Sequence, residues 1–161
     1  MKIITYLVLS AVVLSSCGSQ SPVPNELNQG SSNSEYIIFG HFYGFCGGEE
    51  CIEIFKVTND ALFEDTNDFY PNSDNVYDAE FAQLDQSKFN KLKNLNFVIP
   101  DRLFDETKII IGAPDAADGG GIYLQLSDGR YWLLDMSLTY LPEYLHPLRE
   151  QIRLTIEKIN E

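Results

Sequence analysis

The chain has 161 residues, with 11 Lys and Arg against 24 Asp and Glu, and a formal net charge of -13. At 44% hydrophobic and 22% charged its composition is globular, which excludes disorder over most of its length and suffices for one self-sufficient core. The acid excess excludes the clustered Lys and Arg that phosphate backbones require, so no nucleic-acid partner is expected.

Met1-Lys2 places a positive charge ahead of a nearly apolar run, Ile3–Leu14. That order reads as the start of a secretory signal, residues 1–16. As a helix the run rises only about 18 Å, short of a hydrocarbon core of about 30 Å. Leu14-Ser15-Ser16-Cys17 then resembles the lipobox of bacterial lipoproteins. The resemblance implies cleavage before Cys17, lipidation of its thiol and palmitate-type acylation of the new N-terminus, an effectively permanent membrane anchor. Gly18 in the next position favours the outer membrane of the cell envelope. The pattern is similar to that of many Bacteroidetes lipoproteins, a likeness that implies location and no activity.

Residues 17–35 read as a lipidated Cys and a flexible tether. Fourteen of the eighteen residues 18–35 are Ser, Asn, Gln, Gly or Pro. As a coil they span roughly 23 Å on root-mean-square. Residues 36–161 are then expected to form a single domain.

Within it, Tyr36–Tyr43 and Cys51–Val57 are rich in β-branched and aromatic residues and read as strands. The glycines between them supply turn chemistry, and Ala61–Asp65 reads as a short third strand. Residues 57–87 hold eight Asp or Glu and no Lys or Arg, and are expected to form a long, solvated surface loop with anchoring aromatics. Asp85 suits the N-cap of a helix running to about Leu95, with Phe89 and Leu92 facing the core. One helical turn is expected over 101–104 and a strand over 108–111. Ile122–Leu126 and Arg130–Leu134 flank Ser127-Asp128-Gly129, a hairpin signal. Pro142 and Pro147 suit early helical positions, and Leu145, Leu148, Ile152, Ile156 and Ile159 mark one stripe of a closing helix. The fold class is α+β: an antiparallel sheet of hairpins with two helices on one face.

Cys46 and Cys51 are the thiols left after lipidation, and an oxidising compartment predicts a disulfide between them. A redox role is the sharper reading, but the spacing is not C-x-x-C and Glu49 and Glu50 would raise a thiol pKa. Asp60, Glu64, Asp65, Asp68, Asp74 and Asp78 are hard oxygen ligands but lack EF-hand spacing, so solvated acid is expected there, with a calcium-stabilised structural role as the alternative. Asp115–Gly121 is Gly-rich but lacks the Lys-Ser/Thr of a phosphate loop. With two histidines, His41 and His146, and no nucleophile–base motif, an enzyme would have to be assembled from scattered carboxylates, and no cofactor is expected. Tyr131 and Leu133 point opposite to Trp132 and Leu134 on the hairpin, so one pair is core and the other a candidate recognition patch. The binding candidates are Phe45, Gly47, Gly48 and Glu49 in the Cys46–Cys51 loop, with Tyr131.

A wider pattern runs through Phe89-Asn90-Lys91-Leu92, Phe97, Pro100, Gly112-Ala113-Pro114-Asp115, Tyr123–Gly129, Pro142, Leu145, Pro147 and Leu148. It resembles emfourin-type proteins, small bacterial inhibitors of thermolysin-like metallopeptidases. The resemblance implies the same order of elements and, as function, peptidase inhibition with a metallopeptidase as partner. The expectation from the residues themselves is broader: a membrane-anchored, non-enzymatic module for a protein or peptide, with a cell-envelope enzyme as the alternative.

Overall fold

A computed structural model describes residues 35–92 and 97–161. The expected signal peptide, Cys17 and all but the last residue of the expected tether lie outside these residues, as does the expected end of the first helix. Among the described residues the elements are β1 Tyr36–Phe42, β2 Ile52–Thr58, β3 Leu62–Asp65, β4 Phe81–Gln83, α1 Gln86–Leu92, β5 Ile110–Ile111, β6 Gly121–Leu126, β7 Tyr131–Asp135 and α2 His146–Asn160. The class is α+β, as expected. The strands form one sheet in the order β4-β3-β2-β1-β6-β7-β5. Every pair is antiparallel except β5 with β7.

β1 lies near the middle and is buried on both faces, which explains its almost unbroken apolar sequence. Ile37 and Phe39 point to one face, Ile38 and Phe42 to the other. A Cβ on Gly40 would stand 2.0 Å from the Glu53 carbonyl oxygen, so only glycine lets β1 and β2 approach this closely.

The first face carries the larger core. Leu148, Ile152, Ile156 and Ile159 of α2, with Phe89 and Leu92 of α1, pack on Phe39, Phe55, Leu124, Leu126, Trp132 and Leu134. Pro147 sits in the first turn of α2, where its missing N–H has no partner to lose. Full burial of each such side chain contributes about 1.5–3 kcal/mol.

The second face has a smaller cluster, Ile38, Phe42, Ile54, Tyr123 and Leu133. No helix covers it. The acidic segment between β3 and β4 does, through its aromatics: the Tyr77 ring lies 5.4 Å from that of Tyr123, and Tyr70 meets Phe42 edge-on at 5.1 Å. The expectation of a wholly solvated acidic loop therefore needs correcting at Asp65, which is only 4% exposed. Its carboxylate accepts hydrogen bonds from the Tyr77 hydroxyl at 2.6 Å, the Glu80 amide at 2.7 Å and the Asp68 amide at 3.2 Å. Three donors on one carboxylate offset the cost of burying it. The segment also closes into β4, a strand too short and too acidic in its surroundings to stand out in sequence.

Candidate functional site

β1 delivers the chain from Tyr36, beside the β6–β7 turn, to Phe42 at the opposite end of the sheet. The Glu35 amide donates to Ser127 Oγ at 2.9 Å, which fixes the entry point at the turn. Seven residues of strand separate the two ends by roughly 20 Å. At the far end three segments meet: 43–51 between β1 and β2, 66–70 leaving β3, and 112–120 ahead of β6.

One carboxylate ties them together. Asp115 Oδ2 accepts from the Gly44 amide at 2.8 Å and from the Tyr70 hydroxyl at 2.7 Å, while Oδ1 accepts from the Gly120 amide at 3.1 Å. The Asp115 amide in turn donates to the Gly120 carbonyl at 2.8 Å. Burial and the adjacent Asp115 carboxylate push the Tyr70 hydroxyl well above the ordinary tyrosine range, so it stays a donor at any physiological pH. Gly120 has φ +75, and a Cβ there would meet the Tyr43 ring at 2.2 Å, so the 112–120 segment closes directly onto the base of the 43–51 loop. Asp68, Asp115, Ala117 and Asp118 are the non-glycine residues with positive φ among the described residues, and all four belong to these segments. Strain of about 1–3 kcal/mol each persists only where surrounding contacts hold it.

The 43–51 loop is closed by the expected Cys46–Cys51 disulfide, with Cα atoms 5.6 Å apart. Its base is paired by the Tyr43 amide donating to the Cys51 carbonyl at 2.9 Å, and the Cys51 amide donates to the Gly48 carbonyl at 3.2 Å. Above this base Phe45 is 86% exposed. Gly47 stands in open space, Gly48 takes φ +123, and Glu49 opens the short turn Glu49–Cys51. Phe69 and Tyr70 are also exposed, at 57% and 45%. Tyr70 lies against the base of the loop, where a Cβ on Gly44 would stand 3.5 Å from its ring, and Phe69 precedes it in the chain.

Behind the loop, His41 Nε2 stands 3.1 Å from both the Glu50 carbonyl and Glu53 Oε2. Both are acceptors, so this nitrogen carries the proton. Asn160, at the end of α2, donates to Glu53 Oε1 at 2.7 Å. Burial works to raise the Glu53 carboxyl, but the hydrogen bonds from His41 and Asn160 outweigh it and hold the group below the usual carboxylate range. A cleft of about 630 Å³ opens on the α2 side of this pair, with Ile122, Ile156 and Arg153 in its walls. Another of about 760 Å³ opens on the β3 side, beside Glu50, Glu64 and Lys88.

Of the candidate residues, the structure gathers Phe45, Gly47, Gly48 and Glu49 at one end and leaves Tyr131 near the other. Tyr131 is half-buried beneath the acidic segment, and its hydroxyl donates to the Ser73 carbonyl at 3.0 Å. Sequence reasoning missed Asp115, Phe69 and Tyr70 as partners of the loop. The available signals were an Asp directly after Pro114 in a Gly-rich loop and an aromatic pair inside an acidic stretch. No group of three or more His, Cys, Asp or Glu among the described residues is placed to hold a metal ion, and no helix among them is long and apolar enough to cross a membrane.

Fold and site together define an α+β sheet protein that gathers three clamped loops at one sheet end. Compared with known families, curated proteins and solved structures, the chain matches none.

Proposed function

We propose that this protein is a lipid-anchored, non-enzymatic binding module of the cell envelope that presents the 43–51 loop, with Phe69 and Tyr70, to a protein or peptide. The observation that carries the reading is Phe45: a large apolar side chain, 86% exposed, on a loop closed by a disulfide and clamped at its base. Exposing such a side chain costs solvation, whereas a rigid loop loses little entropy on docking. The direction of the chain supports the same reading. An anchor at Cys17 would pull on the β6–β7 end and leave the three loops facing away from the membrane.

Peptidase inhibition is a second reading, favoured by the same pinned loop, which has the rigidity an inserting element needs. The test is capture from native envelope and secreted fractions with the full lipidated chain in nonionic micelles, beside its Phe45→Ser variant. A protein retained by the unaltered chain and lost with Phe45→Ser is the expected result. Equal capture by both would remove the loop from the interaction. If the captured protein is a metallopeptidase, loss of its activity at a one-to-one ratio selects the second reading.

A further inference from the structure

Resting on the loop-binding reading, the geometry points to a partner of a particular chemistry: a basic segment in which Lys or Arg flanks an apolar side chain. The three segments 43–51, 66–70 and 112–120 carry Glu49, Glu50, Asp68, Asp115 and Asp118 and no Lys, Arg or His. Among the exposed large hydrophobics, Phe45, Phe69 and Tyr70 lie on these same segments. Lys88 lines the cleft beside Glu50 and Asp68, and His41 and Arg153 stand behind the loop, but acids predominate around the aromatics. An aromatic surface in a mainly acidic field is what an amphipathic segment of opposite sign complements. Two of the acids serve the architecture as well. Asp115 spends its oxygens on the clamp, and the Glu50 carbonyl is held by His41, which leaves the Glu50 side chain exposed beside Phe45's loop. Acidic partners are repelled by this field, and neutral apolar ones gain nothing from it.

The test uses three short soluble peptides, alternating Leu with Lys, with Ser or with Glu. Each is titrated against the full lipidated chain in nonionic micelles, with empty micelles as the blank. The Lys–Leu peptide is expected to bind about tenfold tighter than the Ser–Leu peptide, with the Glu–Leu peptide weakest and the difference shrinking as salt is added. Phe45→Ser and Glu50→Lys should each weaken Lys–Leu binding about fivefold or more. Asp101→Lys, an equal change in net charge on an exposed residue outside the three segments, should leave it within about twofold. Equal binding of the Lys–Leu and Ser–Leu peptides, still lost with Phe45→Ser, would overturn the basic-partner inference and leave the loop reading standing. Lys–Leu binding that ignores Phe45→Ser, or that falls equally with Asp101→Lys and Glu50→Lys, would overturn it as mere attraction to an acidic protein. No binding by any of the three peptides would overturn it as well.

Discussion

The two faces of the sheet are covered in different ways. One is sealed by α1 and α2 over more than twenty buried apolar residues, and its contacts are almost wholly van der Waals. The other has five such residues under a segment with no regular structure, held by tyrosine hydroxyls and carboxylates. The Tyr77 amide donates to the Tyr123 hydroxyl at 3.1 Å, and that hydroxyl donates onward to Gln125 Oε1 at 2.6 Å. The first face supplies stability in proportion to area, whereas the second depends on a few directional bonds. A protein that must hold three loops at one end gains from that division. The helix face can remain fixed while the acidic segment positions Phe69 and Tyr70.

The comparison can be broken first at its strongest point. Leu134→Ala removes a fully buried side chain from the helix face and should cost about 2–5 kcal/mol in denaturant unfolding. A loss below about 1 kcal/mol would mean that face is not the main source of stability. On the other face, Asp65→Ala strands the Tyr77 hydroxyl and the Glu80 and Asp68 amides. It should cost about 2–3 kcal/mol, with faster hydrogen exchange over 66–80 and unchanged exchange in α2. Replacing Cys46 and Cys51 by Ser opens a small loop and should cost about 2 kcal/mol by the chain-entropy estimate, with cleavage by added protease appearing within 43–51.

The smallest effect concerns pH. Burial raises the Tyr123 hydroxyl from its ordinary 10.0 to about 12. Because the folded pKa is the higher one, its contribution is complete below pH 10 and is lost as pH rises towards 12. In that window stability should fall by about 1 kcal/mol per pH unit, and tyrosinate absorbance should lag behind that of free tyrosine until unfolding. Tyr77, raised by burial and by its bond to Asp65, shifts in the same direction. A Tyr77→Phe variant with an unaltered alkaline profile would show that the acidic segment is not held by its hydroxyls.

Sequence patterns revealed the fold where neighbours in the chain are neighbours in space. β1, β2 and the β6–β7 hairpin follow from β-branched and aromatic runs around turn residues, and α2 from its apolar stripe. The parallel pairing of β5 with β7 was not legible, because two residues joined across some twenty others leave no local signature. The second face was hidden for a related reason. An acidic stretch reads as solvated, and only its partners across the sheet show that Asp65 is buried and Tyr77 sits against Tyr123. At the site the disulfide was legible from the cysteine spacing and an expected oxidising compartment, and Phe45 from its place in the loop that the disulfide closes. Asp115 was not, since its three partners are up to 71 residues away and its positive φ is invisible until the backbone is built.

The claim that the three loops form one surface rests on Asp115, and amide hydrogen exchange of the Asp115→Ala variant, resolved by NMR, tests it directly. The Gly44 and Gly120 amides should lose protection together, the Tyr70 ring should shift, and β1, β6 and α2 should keep their exchange rates. Retained protection at Gly44, with change confined to 112–120, would contradict it and leave 43–51 as an independent loop.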